Sequence, residues 1–311
     1  MRPLGRRPIP LATVAVSLTL ALVTAACSST GSKPAASGGA GLEVVAAENF
    51  WGSIASQLGG DRAHVSRVIT NPDTDPHAYE PTPADGRRMA SARYVIYNGI
   101  GYDPWAPKLL AANPLTGRAV LNVGDLVGVK EGGNPHRWYS PPDVARVIDQ
   151  ISADYKRLDP AGASYFDQRR AAFTSTSLGR YNSLIADVKA KYAGTPVGAS
   201  ESIFSPLSDA LGLNLLTPAS FLTAISEGTE PTAADKATVD SQIKTHQIKV
   251  YVFNSQNSTP DVKAQVDEAR AAGIPTTTVT ETLTPPTSSF QDWQVSQLQA
   301  LESKLAQATG R

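Results

Sequence analysis

Short runs rich in valine and isoleucine alternate with longer stretches of helical periodicity along most of this chain, the pattern that α/β units leave around mainly parallel sheets. Four runs come early, at Glu43–Ala47, His64–Thr70, Arg93–Asn98 and Ala119–Val123. Four more come late, at Pro196–Ser200, Asn214–Thr217, Ile248–Asn254 and Thr276–Thr280. Between the groups, roughly from Pro142 to Ala193, there is no strand signal, and Phe166, Phe173, Tyr181, Leu184, Val188 and Tyr192 recur at helical spacing with charged residues between them. The pattern predicts an α/β fold of two lobes, each a mainly parallel four-stranded sheet flanked by helices, joined by a long linker helix. The lobes span residues 42–141 and 194–311, and the linker region 142–193. Thr174-Ser175-Thr176-Ser177 and Gly179 are poor helix formers and work against an unbroken linker. Two bridged lobes leave a cleft between them, and clefts are where ligands bind.

The first residues carry an address. Arg2, Arg6 and Arg7 precede an almost uninterrupted apolar run from Leu11 to Val23, which reads as a secretory signal peptide over residues 1–26. A run of about 13 residues falls short of the roughly 20 that span a bilayer as a helix. Thr24-Ala25-Ala26-Cys27 sets the single cysteine of the chain directly after small residues, resembling a bacterial lipobox with Cys27 as the lipidated new N-terminus. Arg6-Arg7 is only a weak twin-arginine signal, with Pro8-Ile9-Pro10 behind it. Residues 27–41, poor in apolar side chains, read as a flexible tether to the membrane.

Charge narrows the partners. The chain holds 28 basic and 28 acidic residues, and loss of the three leader arginines leaves a mild acidic excess, so nucleic acid is not expected. Beyond Cys27 there is no cysteine to form a disulfide, so stability rests on burial.

Ligands of open α/β sheets gather beyond the carboxyl ends of the strands. Polar residues stand there in four places. Asp73-Thr74-Asp75-Pro76-His77-Ala78-Tyr79-Glu80-Pro81 follows the second run, and Gly133-Asn134-Pro135-His136-Arg137-Trp138 repeats the Pro-His pair after the fourth. Ala199-Ser200-Glu201-Ser202-Ile203-Phe204 and Thr280-Glu281-Thr282-Leu283 each offer a carboxylate at a late strand end. His64 and His246 read as structural or surface residues. Glu227 and Glu230 are possible competitors, but their segment leads into a helix starting near Thr232, with Asp235 as capping partner. Asp73 and Asp75 flank His77 and read as solvated loop residues in preference to groups orienting its ring, and Trp51, Trp105, Trp138 and Trp293 as packing anchors, Trp138 also walling the site.

These segments, above all Asp75-Pro76-His77-Ala78-Tyr79-Glu80-Pro81-Thr82 with Asn49-Phe50-Trp51 and Tyr97-Asn98-Gly99, resemble the zinc- and manganese-binding lipoproteins of ABC importers. That family includes pneumococcal surface antigen A. The resemblance covers Val44 to the C-terminus and implies metal ligands at His77, His136, Glu201 and Glu281. Glutamate at the third position is common among manganese binders, and Glu281 replaces the family's usual aspartate, adding one methylene of reach. The histidine-rich acidic loop frequent in zinc members is missing between Pro81 and His136.

Two imidazoles and two carboxylates suit several divalent metals. Four protein ligands leave tetrahedral zinc no open position for catalytic water, so the expectation is a binding protein and not an enzyme, and the chain is expected to act as a monomer. It would carry one divalent transition metal, Zn2+ or Mn2+, to a membrane permease from the outer face of the cell membrane, held there by the lipid on Cys27. The alternatives on the same residues are a secreted zinc hydrolase and a surface adhesin. Neither a His-Glu-x-x-His helix nor a Gly-x-Ser-x-Gly elbow is present to support hydrolysis.

Overall fold

The computed structural model describes residues 41–311 apart from positions 75 and 258. Cys27, the signal peptide and all but the last residue of the predicted tether lie outside the described residues, as does Asp75.

The first lobe contains β1 (Leu42–Glu48), α1 (Asn49–Gly59), β2 (Ala63–Ile69), α2 (Pro83–Ser91), β3 (Tyr94–Tyr97), α3 (Trp105–Ala112), β4 (Ala119–Asn122) and α4 (Val123–Val127). Three helices follow, α5 (Pro141–Leu158), α6 (Ala163–Ala172) and α7 (Gly179–Tyr192). The second lobe contains β5 (Pro196–Ala199), α8 (Ser205–Leu211), β6 (Asn214–Leu215), α9 (Ala219–Ser226), α10 (Ala233–Lys244), β7 (Val250–Asn254), α11 (Pro260–Ala271), β8 (Thr276–Val279) and α12 (Phe290–Thr309). Both sheets are parallel, with the same strand order: β2-β1-β3-β4 and β6-β5-β7-β8. All eight predicted strands are present. β1, β3, β5 and β7 are the inner strands and largely buried, which is why they read as continuous apolar runs. In each sheet the strand order reverses beside the first strand, so a crevice opens between the ends of β1 and β3 and between those of β5 and β7.

The predicted single linker helix is corrected. The chain breaks between α5 and α6, where Pro160 has no N–H to continue the ladder and the Asp159 carboxylate caps the turn by accepting from Gly162 N at 3.1 Å. α6 then runs through a π turn at Phe173–Ser177 into α7. There the Thr174 hydroxyl donates to Arg170 O at 3.0 Å and the Ser175 hydroxyl to Ala171 O at 2.7 Å. Such back-bonding competes with the helical ladder and accounts for the irregularity at the weak helix formers.

The two lobes share their largest apolar cluster, and each also keeps a smaller one of its own. Phe50, Tyr102 and Trp138 from the first half pack in the same buried cluster as Leu283, Phe290 and Trp293 from the second. The Phe50 ring stacks on Trp138 with centroids 4.1 Å apart and lies 6.5 Å from Trp293. Polar ties reinforce the seam: Leu283 N donates to Asn49 Oδ1 at 3.2 Å and Phe290 N to Ser53 Oγ at 2.9 Å. The four tryptophans are all buried, as packing anchors should be. Among the described residues no helix is long and apolar enough to cross a membrane.

Candidate metal centre

The strand-end loops of both lobes open on one cleft of about 980 Å³, lined by His77, Glu201 and Glu281 together with Asn134, Asn254 and Gln256. Each predicted site residue reaches it, or its floor, by a different local device.

His77 sits in the loop between β2 and α2. Two residues on, the Tyr79 hydroxyl donates to Asp85 Oδ2 at 2.7 Å, and Asp85 completes a capping box with Thr82 at the start of α2. The loop is thus anchored at its C-terminal side while the His77 side chain stays exposed, its ring meeting Tyr102 edge-on at 4.8 Å.

His136 is buried, 1% exposed, at the entry of a short turn before α5. The preceding Pro135 carbonyl accepts from Asn98 Nδ2 at 3.0 Å, and Asn98 Oδ1 in turn accepts from Trp51 Nε1 at 3.1 Å. The segments Asn49-Phe50-Trp51 and Tyr97-Asn98-Gly99 therefore act together to seat the Pro-His pair. The His136 ring lies 5.2 Å from Trp138, edge-on, so Trp138 does wall the site.

Glu201 follows β5 and is 3% exposed, with its Oε1 accepting no hydrogen bond. Burial, and next the Glu281 charge, push its carboxyl up to about 8, against smaller pulls from Asn254, Asn257 and Ser226. Glu281 follows β8 and is held at both oxygens. Tyr102 Oη donates to Oε2 at 2.9 Å, and Asn254 Nδ2 donates to Oε1 at 2.9 Å. Burial alone would raise this carboxyl, but the His136 imidazole, the Tyr102 bond and His77 outweigh it and hold Glu281 below its ordinary value. Tyr102 itself is pushed well above the ordinary phenol range by burial and by Glu281, so it remains a neutral donor.

Across the cleft, His136 Nε2 lies 3.6 Å from Glu281 Oε1. A ring nitrogen and a carboxylate oxygen facing each other at that separation are both able to offer an electron pair to a cation. His136 and Glu281 are therefore brought together, Glu201 stands beside Glu281 within the range of its field, and His77 remains on the open rim. Among the described residues no three His, Cys, Asp or Glu side chains converge closely enough to hold a metal ion, so the four surround the cleft without gathering at one point. Glu230 pairs with Lys236 outside the cleft, and Thr232 caps α10 with Asp235 as expected.

Tyr102, Asn134 and Asn254 were not picked out from the sequence. Tyr102 is delivered by a tight loop in which Gly99, Ile100 and Gly101 all take positive φ, of 71°, 59° and 76°. Asp103 holds that loop by accepting from Asn98 N at 2.7 Å and Gly99 N at 2.8 Å. Only the Gly-x-Gly spacing hinted at such a turn. Beneath it Glu48 is fully buried with neither carboxyl oxygen hydrogen-bonded to a donor, and burial, together with Asp103, raises it well above its ordinary value.

The chain was compared with known proteins. The family model described as ZnuA, zinc-uptake complex component A, periplasmic, matches residues 44–304. The manganese-binding lipoprotein MntA of Halalkalibacterium halodurans is 26% identical over 163 residues, 51% of this chain and 53% of that protein, so this match spans about half the relative's length. The manganese ABC transporter substrate-binding lipoprotein PsaA of Streptococcus pneumoniae serotype 4 is 25% identical over 269 residues, 80% of this chain and 84% of that protein. In fold, the chain is similar to a manganese-bound periplasmic metal binding protein, a serine-to-alanine mutant, from Candidatus Liberibacter asiaticus. That superposition has a TM-score of 0.72 at 20% identity and covers 84% of this chain and 98% of the other.

Proposed function

Since the chain belongs to the family of the zinc-uptake complex component A, we propose that it is the solute-binding component of an ABC-type metal importer. It captures one divalent transition-metal ion between its lobes and delivers it to a membrane permease. The observation that carries this reading is the 3.6 Å approach of His136 Nε2 to Glu281 Oε1 across the two lobes. The buried, unpartnered Oε1 of Glu201 adds a third electron-pair donor with nothing yet to bind.

His77, His136, Glu201 and Glu281 are the ligands, with His77 moving in from the rim to complete the set. Two imidazoles and two carboxylates accept both Zn2+ and Mn2+, and preference between them follows cavity geometry and supply. The chemistry required is tight, reversible binding with no turnover. Lipidation of Cys27 would hold the protein at the outer face of the cell membrane, where it works as a monomer.

The test is equilibrium dialysis of the mature protein against Zn2+ or Mn2+, followed by elemental analysis. One ion per chain is expected, lost in His136→Ala. A protein that retains no transition metal after dialysis overturns the reading, and hydrolytic turnover abolished by chelation would put the hydrolase in its place.

A further inference from the structure

We propose that Asn134 is the positioning residue of this metal site: its amide fixes which nitrogen of His136 faces the ion and ties that histidine to the opposite lobe. The inference rests on the metal-binding reading for its consequence, but not for its geometry.

The two ends of the Asn134 amide are identified by backbone groups whose roles cannot change. Oδ1 lies 3.0 Å from His136 N, and a backbone N–H can only donate, so this end is the oxygen. Nδ2 lies 2.7 Å from Ser202 O, and a carbonyl can only accept, so this end is the amine. Turning the amide over would set donor against donor and acceptor against acceptor at both places.

The oxygen so fixed also lies 2.8 Å from His136 Nδ1, which must therefore carry a proton. A neutral imidazole with hydrogen on Nδ1 has its lone pair on Nε2, and Nε2 is the nitrogen that faces Glu281. The Ser202 hydroxyl is a weaker neighbour of Nδ1 at 3.4 Å and is engaged by Ser226 Oγ at 2.8 Å.

The other half of the amide reaches across the cleft. Ser202 follows Glu201 directly, and its own N–H donates to Ser226 Oγ at 3.0 Å. One short side chain therefore sets both the tautomer of a first-lobe ligand and the position of the peptide next to a second-lobe ligand. Outer groups that orient ligands in this way are worth about 10- to 100-fold in metal affinity.

Two variants separate the halves. Asn134→Ala removes both bonds, whereas Asn134→Asp keeps an acceptor for Nδ1 and loses the donor to Ser202. Nitrogen-15 histidine spectra of the metal-free proteins at pH 8 report the His136 tautomer, and competition with a chelating dye reports Zn2+ affinity. Asn134→Ala is expected to give mixed tautomers and Zn2+ binding about 10- to 100-fold weaker, with Asn134→Asp restoring the Nδ1–H tautomer and part of the affinity. Affinity of Asn134→Ala within twofold of the parent overturns the proposal, as does an unchanged tautomer in the metal-free variant. If Asn134→Ala does not fold, loss of the Nδ1–H tautomer in Asn134→Asp overturns it and retention supports it. A parent protein that binds no metal removes the functional reading, while the metal-free spectra still decide what Asn134 does to His136.

Discussion

The Tyr102 hydroxyl donates to Glu281 Oε2 over 2.9 Å, joining a fully buried residue of the first lobe to a carboxylate of the second. With Oε2 occupied and Oε1 turned toward His136, the carboxylate is oriented before any ion arrives. Hydrogen bonds to charged groups contribute about 1.5–3 kcal/mol, so Tyr102→Phe is expected to weaken Zn2+ or Mn2+ binding by about tenfold or more. Titration calorimetry checks this, and Glu281 would then be held at Oε1 alone, by Asn254 Nδ2.

Removing a proposed ligand should cost more than removing its support. Glu281→Ala is expected to weaken binding beyond the roughly 10- to 100-fold of outer-shell changes. Glu230→Ala, which loses only a surface pairing with Lys236, should leave affinity unchanged. Dye competition on the two variants side by side distinguishes a true ligand from a general loss of negative charge.

Trp138 stacks on Phe50 and walls His136, so it links stability to the site. Trp138→Ala opens a cavity in the shared core and should destabilise folding by about 3–5 kcal/mol, read from the urea midpoint. Metal affinity should fall in the same variant because the His136 ring loses its edge-on neighbour.

The pH dependence follows from Glu201. Its carboxyl has an ordinary value of 4.5 and is pushed up to about 8 in the fold, chiefly by burial. The folded state thus holds this proton more tightly than the unfolded chain does, and the associated stability is complete below about pH 4.5 and lost as pH rises to about 8. Over that window this group makes the melting temperature of metal-free protein fall with rising pH, and Glu48 acts with the same sign. Glu48→Gln should flatten the slope in differential scanning calorimetry.

Metal binding reverses the demand, because a ligand carboxylate must be deprotonated. With Glu201 as a proposed ligand, an ion bound near pH 7 displaces its proton, so about one proton should be released per ion from this group. Calorimetric titrations in buffers of different ionisation enthalpy measure that release. It should vanish in Glu201→Gln.

Much of the fold was legible because the inner strands are continuous apolar runs and the turns between them carry ordinary cap signals. Thr232 with Asp235 is one case, borne out at α10. The linker was less so: the aromatic spacing from Phe166 to Tyr192 is helical, but it says nothing of Pro160 ending α5 or of hydroxyls at Thr174 and Ser175 taking helix carbonyls. In the site, the strand-end segments that hold His136 and Glu281 were legible, and the structure brings the two side chains within 3.6 Å of each other. Tyr102, Asn134 and Asn254 were not legible, because a phenol or an amide acquires a role only from what the fold sets opposite it. His77 was legible as a residue but not in its exposed position, which depends on how the loop after β2 leaves the sheet.

The shared core has a kinetic consequence. An ion trapped by two independently moving lobes escapes when they swing apart, but here such a swing would pull Trp293 from Phe50 and wet both rings. On the proposed ligand set, the route out that leaves the shared cluster intact runs past His77, the one exposed member of the four.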